Sequence, residues 1–140
     1  MNDSKKETAS GEMSLDVLIK AMEPVLYDDI YVFATVEKSS DSKAVRPIMT
    51  FIEKEGLTLI LTQDSAIENK LDYDFECRMI TLNIHSSLEA VGFLARITTR
   101  LAGLQMGVNP VSGFYHDHLF VPADRAQDAL AELKLMSMES

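Results

Sequence analysis

Three histidines, His85, His116 and His118, with Asp117 between the last two, are the side chains best suited to chemistry. Imidazole titrates near neutrality and is the commonest metal ligand. On a strand, His116 and His118 point to one side, so with Asp117 or His85 as a third ligand they form a candidate metal site. A metal-dependent enzyme using His116, Asp117 and His118 is what that reading implies. The competing reading is a hairpin turn whose imidazoles cap backbone groups or pack on Tyr115 and Phe120. Two histidines without a fixed third ligand favour the turn. No Gly-x-Ser-x-Gly, no phosphate-binding glycine loop and no His-Glu-x-x-His stands anywhere in the chain. No catalytic residue is therefore assigned, no cofactor is expected, and the chain reads as a non-enzyme.

A second constellation runs from His85 through Ser86, Ser87 and Glu89 to Gly92. Ser86 and Glu89 have the spacing of a capping box, which starts a helix. A helix N-terminus offers free N–H groups and partial positive charge, which suits a carboxylate. Gly92 has no side chain, so a ligand or a neighbouring backbone can come close; ligand approach and simple packing are equally open at this position. Asn109 lies near the end of the strand that follows the helix.

Composition bounds the rest. The chain has 140 residues and a formal charge of −9, with 46% hydrophobic residues. It is long enough for one domain or two very small ones sharing a core. The acidic balance excludes a duplex-binding surface, which needs clustered Lys and Arg, and no apolar run reaches the roughly 20 residues that span a bilayer. Neither nucleic acid nor membrane is expected as a partner. Cys77 is the only cysteine, so no internal disulfide is possible, and it reads as buried packing. A cytoplasmic protein is the expectation.

The elements follow from pattern. Residues 1–13 are polar and small and read as a disordered leader. Leu15, Leu18, Ile19 and Met22 have helical spacing behind Ser14, and Pro24 limits that helix. Ile30 to Val36 is a strand rich in β-branched and aromatic residues. Residues 47–62 fit a hairpin with Gly56 supplying a positive φ, although a helix over 44–55 broken at Pro47 is the alternative. Asp64 caps a short helix. Met79 to His85 alternates as a half-buried strand. A helix then runs to Gly103 with Val91, Leu94, Ala95, Thr98, Leu101 and Ala102 as its buried stripe. Leu104 to Ser112 is a strand that Pro110 confines to an edge. Gly113 to Asp117 turns, His118 to Val121 is a strand, and a final helix buries Ala126, Ala129, Leu130, Leu133 and Met136.

Thr58 to Ala66 parallels His118 to Ala126: strand, two-residue link, Asp, helix. This weak repeat divides the chain into units over 14–75 and 76–140, each of the order strand, helix, strand, strand, helix, the first with its early helix lost or shortened. Val91-Gly92-Phe93-Leu94-Ala95-Arg96-Ile97 resembles the Pro-Gly-Val-Leu-Ala-Arg-Ile helix start of the ACT domain. Val91 stands in place of the usual Pro, and the Asp that normally precedes that turn is absent. The string Ser86 to Phe93 with His116 to Pro122 is similar to an uncharacterised bacterial family of tandem ACT-like proteins. The resemblance implies an α+β, ferredoxin-like fold: two βαββαβ units with antiparallel sheet and helices on one face. It also implies a regulatory protein that binds a small molecule, amino acids being the first class to consider. Carried over, the ligand residues are His85, Ser86, Ser87, Glu89, Gly92 and Asn109. ACT-like sheets pair edge to edge, so a homodimer is expected, and a dimerisation or interaction module without ligand is the rival function.

Overall fold

Two strand-and-helix units share one central strand. The computed structural model describes residues 14–139; the leader expected over residues 1–13 lies outside them. In chain order the elements are α1 (Leu15–Ala21), β1 (Pro24–Leu26), β2 (Tyr31–Val36), β3 (Met49–Ile52), β4 (Leu57–Thr62), α2 (Gln63–Glu68), β5 (Asp74–Leu82), α3 (Phe93–Ala102), β6 (Asn109–Ser112), β7 (Asp117–Pro122) and α4 (Ala126–Glu139). The strands form one antiparallel sheet in the order β3-β4-β2-β5-β7-β6, and β1 also pairs with β5.

β5 carries β2 beside its first half, at Asp74 and Cys77, and β1 beside its last residues, Ile80 to Leu82. β7 takes its other edge from Cys77 to Leu82. The first unit therefore reads β5-β2-β4-β3 and the second β1-β5-β7-β6. Each has its last strand beside its first, then its third and second, which is the ferredoxin-like arrangement. β5 closes the first unit and opens the second. The closing strand of the second unit is β1, delivered from the other end of the chain. α1 arrives with it, and Leu18, Ile19 and Met22 pack with Phe93, Ile97, Leu101, Leu133 and Met136. The first unit has only a 3-10 turn, Lys43–Val45, where the second has α3.

Several local expectations are corrected. The 47–62 hairpin forms, but Gly56 does not have a positive φ. Its role is close approach: a Cβ there would sit 2.8 Å from Thr35 Oγ1 and 2.9 Å from the Val36 carbonyl oxygen. α2 is capped by Thr62, whose hydroxyl accepts from Ser65 N–H at 3.2 Å, and not by Asp64. α3 begins at Phe93 with Gly92 as its cap, four residues after Glu89, so no capping box forms. That shift moves the buried stripe to Phe93, Ile97 and Leu101, while Val91 is 84% exposed. The edge strand after α3 starts at Asn109 and not at Leu104.

Helices cover one face of the sheet. Among the described residues the other face has none, yet Tyr31, Ile60, Cys77, Met79 and Phe120 are buried on it. Curvature explains this. Tyr31 and Phe33 on β2 both meet Phe120 on β7 edge to face, at 5.8 and 6.0 Å, across the width of β5.

Cys77 lies in this layer, its thiol donating to the Tyr31 carbonyl at 3.3 Å. Burial pushes the thiol from an ordinary 9.0 up to about 12. The folded chain thus holds its proton where the unfolded chain releases it. This contribution to stability is complete below pH 9.0 and is lost as pH rises towards 12. We expect Ellman's reagent at pH 8 to leave Cys77 unmodified in native protein and to react fully in denaturant. Rapid native reaction would contradict the burial.

Candidate functional site

The loop from β5 to α3 folds onto the β6–β7 hairpin, and the two together make a small polar cavity. Four polar residues are buried in the described chain, and three of them are here: Ser86, Ser87 and Asp117. Burial of such groups requires partners. Ser86 Oγ donates to Asp117 Oδ2 at 2.9 Å, and Ser112 Oγ donates to Asp117 Oδ1 at 2.7 Å. Ser87 Oγ accepts from Glu89 N–H at 3.0 Å and shapes the loop. Both Asp117 oxygens are therefore oriented, but among the described residues no Lys, Arg or His forms an ion pair with this carboxylate. A buried carboxylate without a cation is costly unless something supplies one.

The start of α3 lines the same cavity as the carboxylate. Gly92 caps α3 at φ 88°, a conformation that L-residues adopt only with strain. The first bond into the helix is Arg96 N–H to the Gly92 carbonyl, so the N–H groups of Phe93, Leu94 and Ala95 precede the intrahelical ladder. These residues, with Ser86, Ser87, Leu88, Ala90, Gly92, Ser112 and Asp117, line a cavity of about 200 Å³. An added Cβ at Gly92 meets only Leu15 Cδ2, at 3.9 Å. Gly92→Ala should therefore cost only the backbone strain, about 1–2 kcal/mol, read by urea denaturation. A loss well above that would point to a packing role.

Of the six sequence-assigned ligand residues, Ser86, Ser87 and Gly92 line this cavity. Glu89 is exposed and contributes its backbone N–H to the loop. His85 lies outside the cavity, its ring 5.4 Å from Tyr115 and 6.0 Å from Phe114, with a buried Nε2 that has no partner. Asn109 sits opposite Phe120, at the far end of β6. The candidate metal trio separates. Asp117 faces the serines, His116 Nδ1 lies 3.2 Å from the Ile84 carbonyl oxygen, and His118 Nδ1 pairs with Thr81 Oγ1 at 2.9 Å. Among the described residues no three such groups converge to hold a metal. Alternation along β7 is the reason, since neighbours on a strand face opposite ways.

Sequence reasoning missed Asp117 and Ser112 as members of the loop site. The alternation that pairs His116 with His118 also sends Asp117 to the opposite face, and that was the available signal. A cleft of about 490 Å³ lies elsewhere, on the first unit. Its carboxylates, Glu53, Asp72 and Asp74, are all exposed, so water already solvates them.

This architecture defines a class: paired ferredoxin-like units with a loop cavity at a helix start. ACT-domain family profiles match residues 10–78 and 74–134, overlapping on β5. The chain belongs to the ACT domain family, here as a tandem. ACT domains are typically regulatory, ligand-binding modules. A Vibrio cholerae protein of unknown function, VC0802, described as a possible transport protein, is 41% identical; the match covers 88% of this chain and 95% of that one, with a TM-score of 0.80. Atu0741 from Agrobacterium tumefaciens is 16% identical over 81% of this chain and 87% of its own, with a TM-score of 0.70. The ligand-free regulatory subunit of aspartate kinase from Thermus thermophilus shares the fold at 11% identity, covering 84% of this chain and 99% of its own, with a TM-score of 0.57. No curated protein matches this chain. No helix among the described residues is long and apolar enough to cross a membrane.

Proposed function

We propose that the chain is a regulatory protein that binds a small amino acid, or a close zwitterionic relative, between Asp117 and the start of α3. The single observation carrying this reading is the buried Asp117 carboxylate, held by Ser86 and Ser112 without a cationic partner and lining one cavity with a helix N-terminus. An ammonium supplies the missing cation. A carboxylate on the same ligand takes the free N–H groups and partial positive charge of α3. The cavity, about 200 Å³, favours a short side chain. Asp117 thus does from β7 what the family's absent turn Asp would do from the loop. Regulation would act through a partner protein, and the cytoplasm is the compartment this role implies.

Thermal denaturation against the full set of amino acids tests the proposal. A ligand of the native state raises the melting temperature by mass action. The same compound as its N-acetyl derivative or its methyl ester should raise it much less, since each lacks one end of the zwitterion. A flat response across the whole set would sink the reading.

Self-association is a second reading, favoured by the rim of the same cavity. Leu88 and Val91 are 65% and 84% exposed there and would be covered by a second copy. Light scattering should show a dimer that Val91→Glu weakens. A monomer at high concentration would remove this reading and leave the ligand proposal standing.

A further inference from the structure

We infer that the helix-free face carries a second small-molecule site, for a compact, uncharged, mainly apolar ligand with one hydrogen-bonding group that engages His118. The site is a cavity of about 260 Å³ lined by Ile48, Met49, Met79, Val111, Gly113, His118 and Phe120. Its walls come from opposite edges of the sheet. Met49 is on β3 and Val111 on β6, five strand spacings apart, which would be about 24 Å in a flat sheet. For both to line one cavity the sheet must curl strongly, and the curl shapes a half-open cleft where a flat ACT-like face would have none.

The chemistry of that space is simple. Six of the seven lining residues are apolar or glycine, and the seventh is an imidazole with a fixed orientation. His118 Nδ1 is held by Thr81 Oγ1 at 2.9 Å, which leaves Nε2 for a ligand. Gly113 keeps this end clear: a Cβ there would lie 3.5 Å from His118 Nε2 and 3.2 Å from the His116 carbonyl oxygen. Burial of His118 favours the neutral ring, with His116 acting in the same direction and Asp117 against it. A neutral imidazole among methionine, valine, isoleucine and phenylalanine suits an uncharged molecule, and ligand cavities of a few hundred Å³ are dominated by apolar walls with a few placed polar groups. At about 260 Å³ the cavity lies just under the usual range for drug-sized ligands, so a compact molecule fits it best.

This site is distinct from the loop cavity. Ser112 and Asp117 face the loop, whereas their neighbours Val111, Gly113 and His118 face the second cavity. The β6–β7 hairpin is the wall between them.

The probe is 2-naphthol, whose hydroxyl both donates and accepts and so suits either tautomer of His118. Titration into the full chain should shift the His118 ring resonances saturably, with a dissociation constant below 1 mM as a working threshold, equivalent to about 4 kcal/mol of binding. Val111→Phe, at a half-buried position on an edge strand, fills the cavity and should weaken binding at least tenfold without changing the response to amino acids. Absence of saturable binding, or undiminished binding by the folded Val111→Phe chain, overturns the inference. Should that variant not fold, the wild-type ring shifts decide alone: a saturable shift at His118 supports the site, and none refutes it.

Discussion

Asp117→Asn should weaken amino-acid binding by about a hundredfold while leaving the stability of the ligand-free chain nearly unchanged. The two effects separate because the carboxylate has two relationships. Inside the protein it accepts from two serine hydroxyls, at 2.7 and 2.9 Å. Asn keeps the shape and one acceptor oxygen, so about 1 kcal/mol of hydrogen bonding is at stake. Against that loss stands the removal of a buried charge that no Lys, Arg or His side chain pairs with, so the two changes largely offset. Towards a ligand the balance differs. Removing one partner of a buried hydrogen-bonded charge pair costs about 2–5 kcal/mol, so affinity should fall by roughly two orders of magnitude. Isothermal titration calorimetry measures the loss, and thermal denaturation without ligand measures the rest. Ser86→Ala and Ser112→Ala should weaken binding less, since each leaves the carboxylate in place with one donor. Wild-type affinity in Asp117→Asn would remove Asp117 from the site. A large loss of ligand-free stability would recast it as a structural polar residue.

How much of this was legible in the sequence differs by residue. The second unit was nearly readable: the repeat of Thr58–Ala66 in His118–Ala126 appears in the fold as β4 with α2 and β7 with the 3-10 turn that opens α4. Strand alternation and helix spacing are local and survive folding. Three features were not local. The start of α3 is set by Gly92 at φ 88° and by Ser86 turning to Asp117, a bond across 31 residues that competes with the capping box. Gly56 was correctly placed in a turn, but its reason is the neighbouring strand, 2.8 Å away. β1, three residues long, has too little pattern to announce itself, and its partner stands more than fifty residues later. The loop site was half legible for the same reason. Ser86, Ser87 and Gly92 lie in one segment, whereas Asp117 and Ser112 reach them only through the pairing of β5 with β7 and β7 with β6.

The shared strand and the borrowed one predict how the chain unfolds. Leu18 is fully buried and packs in the core made by α3, α4, β5 and β7, although it lies at the N-terminal end of the described chain. Leu18→Ala should cost about 3 kcal/mol, the usual size for a buried Leu→Ala cavity, which lowers the melting temperature by about 10 °C for a chain of this length. If α1 were an appendage on the first unit, the same change would fray one short helix and leave the main transition unmoved. Here, loss of α1 also frees β1, and β1 is the closing strand of the second unit, on the strand that closes the first. Leu61→Ala, in the separate core of the first unit, should therefore shift the same transition. Secondary structure by circular dichroism and exposure of the Cys77 thiol, on the strand common to both units, should report one coincident midpoint in each variant. Two resolved transitions, with Leu18→Ala moving only one, would mean that the shared strand does not couple the units.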